Sequence, residues 1–174
     1  FAVAEGLLPP DRRLERLATR CSLEARVIAV CNAKLGGGVA LLSWSGSMFE
    51  YLMPHLVLHN PAGTLLDQTL HLVVRKQMSY AKSLGLPWGI SESAYAARDR
   101  NKTYQYSNFG VPDLGRKRGL ADNQVIAPYA TALAAMVSPT DAVANFERLT
   151  SIGARGRYGY YEAVDYTRSR LRKG

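Results

Sequence analysis

Between Gly63 and Gly85 the chain carries its own start and stop signals, and this bounded segment, with the long connection beyond it, constrains the fold most. In "GTLLDQTLHLVVRKQMSYAKSLG", Thr64 is a ready N-cap, and Asp67 stands three residues on, as in a capping box. Gly85 and then Pro87 close the segment. Leu66, Leu70, Val73, Val74 and Gln77 track one face of the predicted helix. Beyond it lies a 36-residue stretch, 86–121, with Trp88, Tyr95, Tyr104, Tyr106, Phe109, four glycines and two prolines. Compact domains rarely keep a connection of that length without a use for it.

Other segments are punctuated in the same way. Leu14, Leu17, Ala18, Cys21, Ala25 and Ile28 are spaced for a helix from Asp11 to about Val30. A further helix is expected to open near Asp122 or Asn123 and run through "VIAPYATALAAMV", its alanines permitting close packing. The next has Ser138 as cap, Pro139 at the first position, Val143, Phe146 and Leu149 facing inward, and Gly153 as terminator. Residues 36–63 and 153–167 share the aromatic, glycine-rich character of 86–121. No β-alternation and no βαβ rhythm stands out. The expectation is an all-α single domain over 1–174, with antiparallel helices whose long loops gather at one end.

Bulk properties remove several function classes. A content of 47% hydrophobic and 21% charged residues reads as globular. No apolar run approaches the roughly 18–20 residues that cross a bilayer, since the longest, Val125–Val137, is broken by Pro128. No basic-then-apolar leader is visible. Cys21 and Cys31 form neither a disulfide framework nor a zinc pattern. The net charge of +8 could meet a polyanion, but the basic residues are scattered and no nucleic-acid motif accompanies them, so no nucleic-acid partner is expected. His55, His59 and His71 lack a Cys or carboxylate at a matching offset, and no metal is expected. "WSGSM" is not a nucleophile elbow, and "LGGGV" lacks the Lys-Ser/Thr of a P-loop. The chain starts at Phe1 without Met and stops on "TRSRLRKG", which reads as a piece of a larger protein.

Three carboxylates sit among aromatic residues: Glu50 in "SWSGSMFEYLMP", Glu92 in "GISESAY" and Glu162 in "YGYYEAVDY", with Asp99 and Asp165 near the last two. Chemistry on a glycosidic bond needs two carboxyl groups and flat faces on which sugar rings stack. Indole and phenol rings supply such faces together with a polar edge. Composition alone leaves the plainer alternative open, in which these are loop residues satisfying backbone donors beside tyrosines that close a core.

The longer motifs are more specific. "LLSWSGSMFEYLMP", "TLLDQT", "PWGISESAY", "TYQYSNFGVPDLGRKRGLAD", "VIAPYATALAAM" and "GRYGYYEAVDYTRSRL" closely resemble, in order, the central glycoamylase-like domain of bacterial cyclic β-1,2-glucan synthases. The match runs from about Val39 to Leu171 and is poor over 1–38. "FAVAEGLLP" is similar to a family segment, but Arg12–Lys34 lacks the His-Trp-Phe stretch that comes next there, through divergence or a disturbed reading frame. The resemblance implies an (α/α)6 barrel, of which 174 residues can form only a part. It also implies retaining transglycosylation that closes a linear β-1,2-glucan into a ring, with no cofactor in this domain. The parent carries a membrane glycosyltransferase module and a phosphorylase-like module, on the cytoplasmic side of the inner membrane.

The resemblance also implies roles, residue by residue. Glu92 matches the glutamate of the family's Ile-Ser-Glu-Ser and is the expected nucleophile, oriented by Ser91 and Ser93; the alternative is a carboxylate at a helix N-terminus. The family's acid/base, in a Ser-Glu-Ala-Arg segment, falls before the position matching Phe1. Glu24 in "SLEAR" is displaced from it, so Glu162 is the replacement candidate. Glu50, Asp99 and Asp165 are expected at sugar hydroxyls, and Trp44, Trp88, Tyr95, Tyr104, Tyr106 and Tyr161 as stacking surfaces. Two alternatives remain, an inverting endo-β-1,2-glucanase and a degenerate, non-catalytic glucan-binding module.

Overall fold

The computed structural model describes Gly38 and residues 40–171. The helix expected over 11–30, Glu24 and both cysteines lie outside the described residues. A short helix, α1 (Met48–Leu52), runs into a 3₁₀ turn at Met53–Leu56. The main helix, α2, spans Leu65–Ser83. A hairpin comes next, β1 (Ser93–Arg98) with β2 (Tyr104–Ser107), and then a two-residue strand, β3 (Val125–Ile126). Two helices, α3 (Pro128–Ala134) and α4 (Pro139–Ser151), lead to the short strands β4 (Arg155–Gly156), β5 (Gly159–Tyr160) and β6 (Val164–Asp165). β1 pairs with β2, β3 with β6 and β4 with β5, all antiparallel.

The all-α expectation, with its partial (α/α)6 barrel, is therefore corrected: the chain is mixed helix and sheet. Most of its strands are two residues long, too short to show alternation in sequence. In β1 the run "SAYAAR" hides its strand character behind alanines, which have weak β propensity. The helix expected from Asp122 is split for a similar reason. Val125 and Ile126 pair with Val164 and Asp165, and Pro128, lacking an N–H, begins α3 at its first position.

The main helix forms where its signals stand. Thr64 Oγ1 accepts the Asp67 N–H at 3.2 Å, and the Asp67 carboxylate accepts the Gly63 N–H at 2.9 Å. The helix ends with Gly85 at φ +70°, the Leu86 N–H bonding back to the Ala81 carbonyl. Its buried side is Leu65, Thr69, Leu70, Leu72, Val73, Val74, Gln77 and Ala81, while Leu66 faces outward. On α4, Ala142, Asn145 and Leu149 are buried and Phe146 packs at the core's edge, but Val143 is exposed. Met48, Leu52, Ile90, Leu114, Ile126 and Leu149 are fully enclosed in one core, each stabilising the fold by about 1.5–3 kcal/mol.

Two features place the stretch after α2. Residues 87–91 run buried through the interior, bridged to β3 between Ile90 and Ile126, and buried amide side chains bond more of their backbone. Asn145 accepts from Trp88 N–H at 3.1 Å and donates to its carbonyl at 2.9 Å. Gln77 does the same for Ile90, at 3.0 and 2.9 Å. Gly89 between them has φ +116°, a conformation only glycine adopts without strain. Beside this strap, Ser45 and Gly46 lie against Gly110 and Gly115. A Cβ on Gly110 would stand 1.8 Å from the Ser45 carbonyl oxygen, so the contact needs bare backbone on that side.

Candidate active site

Glu92 leaves the buried strap where the strap becomes β1. The residue is half-buried, and its Oε1 accepts a hydrogen bond from the Tyr106 phenol at 3.1 Å. Tyr106 comes from β2, where its register partner is Ala94. Glu162 reaches the facing strand β1 from the segment between β5 and β6, its Oε1 accepting the Ala94 N–H at 3.4 Å. Burial first, then the bond and charge of Glu92, then the charge of Glu162, push the Tyr106 phenol from 10.0 up to about 12. Tyr106 therefore remains a donor at any ordinary working pH.

The backbone of Glu92 is held as firmly as its side chain. Its N–H donates to Ser47 Oγ at 3.2 Å, and its carbonyl accepts from the Tyr129 phenol at 2.7 Å. Ser91 Oγ bonds Ser47 and Tyr129, and Ser93 Oγ is buried without a partner among the described residues. The hydrogen bond recorded at the Glu92 carboxylate comes from Tyr106, while Ser91 acts on the Glu92 backbone through Ser47 and Tyr129. On the far side of Tyr129 a cleft of about 260 Å³ is lined by Tyr129, Phe146, Tyr160, Tyr161 and Glu162.

The other sequence candidates separate into two groups. Trp44, Tyr104 and Tyr161 are exposed, with Tyr104 lying under the Arg98 guanidinium at 4.2 Å. Trp88 is buried, and Tyr95 packs edge-on against Phe109 at 5.3 Å under Arg170. Glu50 accepts the Ser45 N–H at 3.0 Å. Asp99 closes the β1–β2 turn by accepting from Asn101 and Thr103 N–H, and Lys102 there has φ +64°. Because 93–98 is strand, Asp99 lies roughly 20 Å along the chain from Glu92, and the shorter helical separation does not apply. Asp165 is clamped by Arg170 at 2.6 and 3.1 Å and by the Ala96 and Thr167 N–H groups. Burial raises its pKa, but Arg170 and these donors outweigh burial and leave it below its ordinary 3.8.

A larger concavity of about 460 Å³ brings together His55, His59, His71 and Asp67. Burial lowers the pKa of His55, with Asp67 opposing, and His71 Nε2 stands 3.8 Å from Asp67 Oδ1. Among the described residues no group of three or more His, Cys, Asp or Glu side chains is arranged to hold a metal ion. Ser47, Tyr129 and Asn145 escaped the sequence reading, which sets Gln77 on one face of its helix without its amide role. Only Tyr129 carried a signal, an aromatic hydroxyl in a first helical turn directly after Pro128.

With this geometry established, comparison with known proteins gives two findings. The Glycoamylase family model, of glucoamylase-like proteins, matches residues 32–173. The chain belongs to this glycoamylase-like family. It is also 50% identical over all 174 residues to the cyclic beta-(1,2)-glucan synthase NdvB of Rhizobium meliloti (strain 1021), of which it spans 6%. The glycoamylase-like chain thus corresponds to a small part of a much longer synthase. Among its described residues no helix is long and apolar enough to cross a membrane.

Proposed function

We propose that this chain forms part of a retaining transglycosylase site that acts on β-1,2-glucan, closing a linear chain into a ring within a cyclic β-1,2-glucan synthase. The observation that carries the reading is the carboxylate of half-buried Glu92, tethered by Tyr106 of β2 beside strand β1, whose Ala94 N–H donates to Glu162. Similarity to NdvB over the whole chain supports the choice of β-1,2-glucan. In this reading a Glu92 oxygen attacks the anomeric carbon. The glycosidic C–O bond breaks, and a second carboxylic acid gives its proton to the departing oxygen. That group, now a carboxylate, takes the proton from an incoming hydroxyl of the same glucan, whose oxygen displaces Glu92. Two retaining carboxyl groups act about 5–5.5 Å apart. Glu162 is the second carboxyl group this reading assigns within the chain. Trp44, Tyr104, Tyr106 and Tyr161 offer faces to glucose rings. The neighbours in the longer polypeptide would be a membrane glycosyltransferase module and a phosphorylase-like module, at the cytoplasmic face of the inner membrane.

The test is Glu92→Gln in the longest polypeptide that carries the chain. Ring closure is expected to vanish while the melting temperature stays within about 4 °C, the shift that roughly 1 kcal/mol produces in a domain of this size. Cyclic product at the unaltered rate would refute the assignment. The anomeric configuration of the first-formed product, read by NMR, distinguishes retention from an inverting glucanase.

A further inference from the structure

Three hydroxyl groups connect the two ends of the Glu92 peptide, and their proton directions are fixed by count. The carbonyl of Glu92 can only accept, so the single proton of Tyr129 goes to it, at 2.7 Å. The 2.8 Å contact between Tyr129 and Ser91 is then donated by Ser91. That uses the Ser91 proton, so the 2.9 Å contact between Ser91 and Ser47 is donated by Ser47. Ser47 Oγ in turn accepts the Glu92 N–H at 3.2 Å. The result is a closed ring with one sense of donation, beginning and ending on the same residue. A further bond, from the Phe49 N–H to Ser91 Oγ at 3.0 Å, fills the second acceptor site of Ser91.

The ring draws on three elements: Ser47 stands at the N-cap position of α1, Ser91 ends the buried strap, and Tyr129 sits in the first turn of α3. Ser47 and Ser91 are fully buried, and Tyr129 stands edge-on to Phe49 at 6.2 Å. Burial holds the Tyr129 phenol far above its ordinary 10.0, so its proton is present throughout the working range. Because the array ends on an amide and a carbonyl, it delivers no proton to the carboxylate. It fixes the peptide plane on each side of the Glu92 Cα, and hence the direction in which the side chain leaves. We propose that Tyr129 is a positioning residue for Glu92, acting through this ring and independently of the Tyr106 tether. The inference rests on the reading of Glu92 as the reacting carboxylate.

The test pairs Tyr129→Phe with Glu92→Gln, assaying β-1,2-glucan turnover in the longest polypeptide that carries the chain. Displacement of a reacting group by about an ångström costs on the order of 10²-fold in rate. Tyr129→Phe is expected to lower kcat by about 10- to 100-fold with KM within about twofold of normal. A merely structural role would alter melting temperature or KM without that split. Glu92→Gln inactive with Tyr129→Phe at the unaltered kcat would overturn the inference and leave the site reading standing. A fully active Glu92→Gln would overturn the reading itself. Should Tyr129→Phe fail to fold, amide exchange in the unaltered chain decides. The Glu92 N–H is expected among the protected amides, and exchange at the rate of an open loop would refute the ring.

Discussion

Asn145→Leu is the substitution that most directly probes how the strap bearing Glu92 is held. The change keeps the branched shape and heavy-atom count of asparagine but removes three hydrogen bonds. These are the bonds from the Trp88 N–H at 3.1 Å, to the Trp88 carbonyl at 2.9 Å, and to Thr131 Oγ1 at 2.8 Å. Asn145 is 3% exposed and Trp88 8%, so water does not readily replace the lost partners. Each orphaned buried backbone group costs about 1–3 kcal/mol, and two of them give about 4 kcal/mol. That is a large share of the roughly 5–15 kcal/mol that holds an ordinary domain together. Urea unfolding followed by far-UV circular dichroism would show a much lower midpoint at unchanged slope. A loss below about 1 kcal/mol would refute the idea that buried amide side chains satisfy the backbone along 87–91.

Three further outcomes rest on the same geometry. Gly110→Ala places a methyl group 1.8 Å from the Ser45 carbonyl oxygen, so backbone must move. A loss of about 3 kcal/mol in urea is expected, against about 1 kcal/mol for Gly63→Ala, where φ is +75° but space is open. Asp165 has its folded pKa below the ordinary 3.8, so its contribution is fully present above that value and lost as pH falls through the folded pKa. Asp165→Asn should lower stability at neutral pH by about 2 kcal/mol and flatten the acid limb of a stability-versus-pH curve. Glu92→Gln removes a charge that raises the Tyr106 pKa, so the phenol should titrate below its present value of about 12 in a spectrophotometric titration.

The sequence read most reliably where the signal is local. The Thr64 cap, the Gly85 terminator and the Pro139 start each act within one helical turn and stand where the spacing puts them. The strands were hidden because their pairing is long-range. Val125–Ile126 is a strand only because Val164–Asp165 lies beside it, and nothing within either dipeptide says so. The candidate site divides in the same way. Glu92, Tyr106 and Glu162 belong to quoted motifs, and the fold brings them to the start of one hairpin, β1 with β2. Asp99 and Asp165 belong to equally prominent motifs, yet their oxygens are occupied by backbone donors and Arg170. The partnership of Ser47 and Tyr129 with Ser91 was invisible because a hydroxyl's partner 38 or 44 residues away leaves no periodic trace.

The most direct test of the central claim is an NMR titration of the chain with linear β-1,2-linked gluco-oligosaccharides. Saturable shifts concentrated at the amides of residues 91–94, 106, 129 and 161–162 are expected, with the Glu92→Gln chain retaining the same footprint. A saturable footprint elsewhere on the surface, leaving the Glu92 amide unmoved, would contradict the account.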